Sequence, residues 1–327
     1  MNDVCEFIDH PSGYLALSSS NQRFFAAGHD GFIAYREQGR HLFMFGGVHA
    51  RGNDRGPLLD RFLAEAKVRR RGVVAVQLRM AQAELFASRG FVCNRLGTSY
   101  GLRLDGYTLA GTRRMKLRNK IRRARSLGVR ILEVGKELPF SAPTFSALAA
   151  VSESWLRNKG KKELDFMIGE LGGPEERARR IFVAVAGGDA ASAPVGRLLG
   201  FITYVPVFGE RPGYLHDLTR RVPDAPPGTL ELCNAEALVR LRGDGAAYLH
   251  FGFTPFIQSG EEPPASSRVL SWLLRLLARH GRALYPAQSQ ADYKLKWGPD
   301  LVESELVAAR PLSLRAIVDL LILTRSI

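Results

Sequence analysis

The sequence predicts an α/β protein made of two related α/β domains in tandem, with a basic helix as the bridge. Three observations carry this expectation. Strand-like runs alternate with helix-period segments through roughly the first hundred positions. The same alternation restarts after Gly128, without an obvious sequence repeat. Between the two stretches, residues 107–136 hold ten Lys or Arg against one acidic residue, so they supply +9 of the formal charge of +14. The expected division is residues 1–108, a linking helix at 109–128, and a C-terminal domain at 129–327.

The elements follow in order. Gly31–Glu37 and His41–Gly46 read as strands around a Gln38-Gly39-Arg40 turn. Leu58–Arg70 carries Leu59, Phe62, Leu63 and Ala66 on one helical face. Gly72–Leu78 is a strand by its β-branched content, Gln82–Arg89 a short helix stopped at Gly90, and Phe91–Leu104 one or two strands. In Thr112–Gly128, Leu117, Ile121, Ala124 and Gly128 recur at i, i+4, i+7 and i+11, with Thr112 as the expected N-cap and Gly128 as the stop. After that come a strand at Val129–Val134, a helix at Pro143–Lys159, and strands at Ile181–Ala186 and Leu198–Pro206 around a loop at Gly187–Pro194. A strand at Gly213–Asp217, a helix at Gly228–Asp244, a strand at Tyr248–Phe253, and helices at Ser266–His280 and Leu312–Leu323 complete the series.

At 327 residues, with 46% hydrophobic and 24% charged positions, the chain is globular in composition. Cys5, Cys93 and Cys233 are odd in number and far apart, which excludes a disulfide scaffold and a CxxC metal knuckle and points to a reducing compartment. The first residues lack the basic-then-apolar layout of a signal peptide, and no apolar run approaches the roughly 20 residues of a spanning helix. A soluble, cytoplasmic protein is expected, able to touch anionic membranes only peripherally, through Leu312–Leu323 with Arg310 and Arg315. Walker A, a GxGxxG after a strand, a GxSxG elbow and any metal-spaced cluster are missing, so neither metal nor cofactor is expected. The Gln/Arg-x-x-Gly-x-Gly/Ala loop that grips coenzyme A is also missing; its nearest approach, Arg69–Val74, ends in Val.

Arg113, Arg114, Lys116, Arg118, Lys120, Arg122, Arg123 and Arg125 place eight cations in 13 positions. A solvated helix normally alternates signs so that neighbours attract at i, i+4; here they repel. That cost favours a phosphate-binding helix over a merely solvated face. Arg157, Lys159, Lys161 and Lys162 extend the basic surface.

Thr112–Gly128, TRRMKLRNKIRRARSLG, resembles the K(K)-x-x-LR-x-x-x-x-RA-x-x-x-G stretch in the soluble domain of bacterial aminoacyl-phosphatidylglycerol synthases, the multiple peptide resistance factor family. Gly31–Arg40, Leu85–Gly97, Val151–Lys159, His216–Arg220, Pro223–Leu232, His250–Pro255 and Asp292–Pro299 continue the resemblance in order along nearly the whole chain. It implies two acetyltransferase-like (GNAT) domains and transfer of an amino acid from aminoacyl-tRNA, with the basic helix on the acceptor stem. The sequence departs from the lipid-modifying members in having no multi-span membrane domain. The first expectation is therefore a small soluble acceptor (amine, hydroxylamine or hydroxyl), with phosphatidylglycerol and acetyl-CoA-type N-acyl transfer as alternatives. A non-catalytic RNA-binding protein is the reading from another class.

An aminoacyl ester is already activated, so the enzyme must orient the nucleophile, take its proton and stabilise the oxyanion. By similarity, Asp217 binds the substrate amino group or accepts a proton, and Arg220 holds a phosphate or developing charge. Strand alternation puts Asp217 and Thr219 on one face and His216 and Leu218 on the other. Read as a strand, Asp292–Pro299 puts Lys294 and Lys296 on one side and Tyr293, Leu295 and Trp297 on the other. These ammonium groups suit the tRNA 3′ end or a lipid phosphate; a lysine-protected edge strand is the plainer alternative. Glu231 and Asn234, i, i+3 neighbours, could face the pocket near Asp217. Trp155 and His250 are read as core residues.

Overall fold

The computed structural model describes residues 2–159, 166, 169, 171–172, 174–187, 196–257, 260, 262–263, 265–280 and 287–325. A short helix α1 (Asn2–Cys5) and a 3₁₀ turn (Gly13–Leu17) lead into β1 (Gln22–Phe24), β2 (Gly31–Gln38), β3 (His41–Phe45) and β4 (His49–Ala50). Then come α2 (Gly52–Val68), β5 (Gly72–Arg79), α3 (Met80–Ala87), β6 (Val92–Arg103), α4 (Met115–Ser126), β7 (Arg130–Glu133) and α5 (Ala142–Lys159). The second half continues with β8 (Arg180–Val185), β9 (Leu198–Val207), β10 (Gly213–Arg221), α6 (Thr229–Gly243) and β11 (Tyr248–Pro255). It closes with α7 (Arg268–His280), α8 (Ala287–Leu295), β12 (Leu301–Arg310) and α9 (Leu314–Leu323).

The strands form one continuous mixed sheet in the order β1-β2-β3-β5-β12-β6-β11-β10-β9-β8-β7, with β4 pairing β2 off that path. Most neighbours are antiparallel; β3/β5 and β10/β11 are parallel. The strand β12 was not anticipated. Its sequence, LVESELVAAR, is rich in Leu, Glu and Ala, which favour helix. Pairing with β5 on one side and β6 on the other overrides that preference. The last strand of the chain thus sits inside the sheet of its first hundred residues.

Alternation along the strands divides the core by face. On β3, Leu42 and Met44 pack with Leu58, Phe62 and Phe86 of α2 and α3. Phe43 and Phe45 pack instead with Leu270 and Leu274 of α7 and Ala316 of α9. In the second half, Phe182 and Ala184 of β8 meet α4 and α6, whereas Ile181, Val183 and Val185 meet Leu148 and Val151 of α5.

Two local expectations are corrected. Residues 292–299 are not a strand: α8 runs through Leu295, followed by a turn, so the alternation of Lys294 and Lys296 against Tyr293, Leu295 and Trp297 does not hold. Thr112 is not the N-cap of the basic helix: a 3₁₀ turn (Thr112–Arg114) precedes α4, whose N-cap position is Arg114. The apolar stripe is as expected, with Leu117, Ile121 and Ala124 buried, and Gly128 ends the segment at φ +76°.

Candidate active site

The site lies where two parallel strands part. β10 and β11 pair only from Gly213–Tyr248 to Leu215–His250. Beyond that, β10 follows β9, with a bulge between His216 and Thr219, while β11 follows β6. The end of α8 fills the opening. Lys294 Nζ donates to the carbonyls of Gly252 and Phe253, 2.9 Å each, in the stretch of β11 that β10 has left. The side chain is buried and lies 5.8 Å from the Tyr100 ring. Burial pushes its pKa down to about 7, against the raising pull of Glu305.

Lys296, just past the helix end, lies over the Tyr293 ring at 3.9 Å and donates to Glu231 Oε1 at 2.8 Å. Lys120 of α4 reaches the same oxygen at 3.3 Å. Glu231 stands in the first turn of α6, where the helix dipole favours a carboxylate. Burial pushes its pKa up, but Lys296 and Lys120 outweigh this and hold it below the usual range. Burial lowers Lys296, against Glu231. The ion group therefore ties together α4, α6 and the α8 turn.

His216 packs beside this group. Its ring stacks on Tyr204 at 5.4 Å and lies 5.8 Å from Phe251 and 5.9 Å from Tyr293. Desolvation, then Lys294 and Lys296, push its pKa down to about 3, so the imidazole is neutral at physiological pH. His216 Nε2 pairs with Thr219 Oγ1 at 2.8 Å. The bulge therefore puts His216 and Thr219 side by side, and the expected alternation along His216–Thr219 is corrected. Tyr204 donates to Asn234 Oδ1 at 2.6 Å, leaving the fully buried Asn234 Nδ2 without a partner among the described residues.

Asp217 faces elsewhere. Its Oδ1 accepts from the Gly169 N–H at 2.9 Å, and its Oδ2 is held by Arg179, which also reaches Thr203 and Glu176. Its side chain is 3% exposed. Glu231 and Asn234 are thus placed beside Lys296 and Tyr204, while Asp217 is held by Arg179. Arg220 stacks its guanidinium on Trp155 at 4.3 Å, so Trp155 is half-buried under a cation. His250 is a satisfied core histidine, held by the Arg211 carbonyl at 3.0 Å.

Along the basic segment, Arg114 bonds the Trp297 carbonyl and stacks on Tyr107, Arg118 caps the carbonyls of Leu109 and Gly111, and Arg125 pairs with Glu236. Arg113, Lys116, Arg122 and Arg123 are exposed and make no side-chain hydrogen bond or ion pair among the described residues. Arg157 pairs with Glu153. The side chain of Lys159, and Lys161 and Lys162, lie outside the described residues. Sequence reasoning named the lysines and Glu231 but missed the packing of Tyr204, His216 and Tyr293 beside them. Their only signal was aromatic content near charged positions.

No cluster of three His, Cys, Asp or Glu is placed to hold a metal among the described residues, and no helix there is long and apolar enough to cross a membrane. The family described as phosphatidylglycerol lysyltransferase, C-terminal, matches residues 5–309. The lysylphosphatidylglycerol biosynthesis bifunctional protein LysX of Mycobacterium sp. (strain JLS) is 26% identical over 227 residues, 66% of this chain and 20% of that protein. The chain thus spans about a fifth of the length of the curated relatives it matches. The C-terminal domain of a putative lysylphosphatidylglycerol synthetase from Agrobacterium fabrum superimposes with a TM-score of 0.79 at 20% identity, covering 99% of this chain and 95% of that one. L-PGS from Bacillus licheniformis gives 0.77 at 20% identity, covering 97% and 93%. At that identity the two structures establish a shared fold.

Proposed function

The chain belongs to the phosphatidylglycerol lysyltransferase C-terminal family, and from that premise we propose that it transfers an amino acid from aminoacyl-tRNA to the glycerol headgroup of phosphatidylglycerol. The names of the relatives support a lipid acceptor and give no support to the small soluble acceptor that the sequence first suggested. The observation that carries the reading is the buried Lys294, set where β10 and β11 part and flanked by the Lys120–Glu231–Lys296 group.

Near pH 7 Lys294 divides between ammonium and amine. The amine can keep two N–H bonds on the Gly252 and Phe253 carbonyls and leave its lone pair for the acceptor hydroxyl. The headgroup oxygen then bonds to the ester carbonyl carbon while its proton passes to Nζ. The ester C–O bond breaks, and the proton returns to the departing ribose oxygen. Lys296 and Lys120 face the phosphates of the tRNA 3′ end, continuing the exposed cations of α4. Asp217 is a positioning residue in this scheme, because both its oxygens are held.

Two acetyltransferase-like halves fused edge to edge remain our reading of the architecture. It is supported by the recurrence of three antiparallel strands, a helix, and a strand parallel to the third: β1-β2-β3, α2, β5 and again β8-β9-β10, α6, β11. Coenzyme A is disfavoured as donor. The β10–α6 turn carries Pro226 and Pro227, which have no N–H to offer a pyrophosphate. A Cβ on Gly228 would stand 2.1 Å from the Lys120 carbonyl oxygen, so α4 covers that turn. The test is to mix the chain with labelled lysyl-tRNA and phosphatidylglycerol: label in the lipid fraction supports the reading. Transfer from acetyl-CoA alone would refute it.

A further inference from the structure

α7 and α9 are apolar on two sides. Both bury one side in the same core, on the sheet face opposite α2 and α3. Leu270 and Leu274 anchor α7; Ala316 anchors α9, with Ile317 and Leu320 beside it. The outer sides should then be polar. Instead, Val269, Trp272 and Leu276 of α7 (i, i+3, i+7) and Leu314, Val318 and Ile322 of α9 (i, i+4, i+8) point to solvent, between 40% (Leu276) and 70% (Leu314) exposed. Six large apolar side chains exposed in stripes on two helices over the same sheet face are surface that a monomer in water has no reason to keep.

The exposed charge on α7 and α9 themselves is of one sign. Arg268, Arg275 and Arg279 are exposed and follow at i, i+7 and i+11, which is one row along the flank of the α7 stripe. They make no hydrogen bond or ion pair among the described residues. No acidic residue occurs in Arg268–His280. The single acid of α9, Asp319, is buried and held by His41 and the Arg40 N–H, so it does not oppose them. α7 also leads through residues 281–286 to α8, the helix that carries Lys294.

We propose that the outer sides of α7 and α9 are a peripheral docking surface for an anionic phospholipid bilayer. The apolar stripes enter the acyl boundary, Trp272 sits at headgroup level, and the arginine row meets the phosphates. This uses no spanning segment. It extends the lipid-acceptor reading without depending on it.

The experiment uses the full chain, phosphatidylglycerol vesicles and phosphatidylcholine vesicles. Wild-type protein should sediment with the first and not the second, with a blue shift of Trp272 emission. Arg275→Glu with Arg279→Glu, and separately Trp272→Ala with Val318→Ser, should each weaken that partition at least about tenfold while leaving the thermal midpoint in place. Both variants should still aminoacylate a short-chain phosphatidylglycerol dissolved as monomers. Wild-type protein that stays in the supernatant, binds both vesicle types equally, or is matched by the variants overturns the surface. A patch that proves to join two copies of the chain, with no vesicle binding, does the same. Vesicle binding without transfer to any acceptor would defeat the proposed activity and leave the docking surface standing.

Discussion

Lys294 gains its character from place, not from sequence. An ordinary lysine is charged well past pH 10. Here burial removes the water that stabilises the ammonium, and two carbonyls orient what remains. The expected consequence is a pH–rate profile with an acid limb at about pH 7. Below it the ammonium form dominates and the rate falls about tenfold per pH unit. His216 is not the source of that limb, because it is already neutral above about 3. His216→Gln should therefore change the rate but not the position of the limb; a shifted limb would transfer the role to the histidine. Asp217 makes the opposite case. Its segment stood out in the sequence, and the structure spends both oxygens on Gly169 and Arg179. Asp217→Asn leaves Arg179 short of its partner in a buried setting, a loss of about 3–5 kcal/mol in stability. Denaturant midpoints check this. An unchanged midpoint with a turnover drop of about 10²–10⁴-fold would restore Asp217 as the proton acceptor.

At the scale of elements, the basic helix was legible because charge sign and periodicity are local properties. Leu117, Ile121 and Ala124 marked the buried stripe, and the structure places them there. What each cation does was not legible, since that depends on chains far away. Arg114 and Arg118 are spent on carbonyls of the fold, whereas Lys116, Arg122 and Arg123 remain exposed. Replacing these last three with Ala should lower the log–log salt slope of tRNA binding by roughly 0.7–0.9 per residue, with the protein still folded. An unchanged slope would take α4 out of the interface. The α8 segment failed for a related reason. Asp292–Pro299 alternates like a strand, but residues 287–295 close a helix whose end plugs the gap between β10 and β11. Gly228 links the two elements. At φ +93° and against the Lys120 carbonyl, Gly228→Ala should cost about 1–3 kcal/mol and loosen α4 from α6, read as a lower midpoint.

Across the whole molecule, α/β alternation was readable in each half, and the joining of the halves was not. The halves meet where β6 pairs β11, and they exchange a strand through β12, whose helix-favouring composition hides a strand lying between β5 and β6 of the first half. Removing it would expose the facing edges of β5 and β6 together. A chain ending at Asp300 should therefore lose cooperative unfolding throughout. Retention of a native-like transition in that truncated chain would show that β5 and β6 do not need β12 between them.

In the proposed transfer Lys294, set where β10 and β11 part, moves the proton. Single-turnover transfer of labelled lysine from pre-bound lysyl-tRNA to monomeric short-chain phosphatidylglycerol tests it most directly, comparing wild type with Lys294→Gln. Glutamine keeps N–H donors on a side chain one atom shorter than lysine but cannot take a proton at neutral pH. The expected rate is lower by about 10²–10⁴-fold, with tRNA affinity and thermal midpoint close to wild type. A Lys294→Gln rate within a few fold of wild type would contradict it.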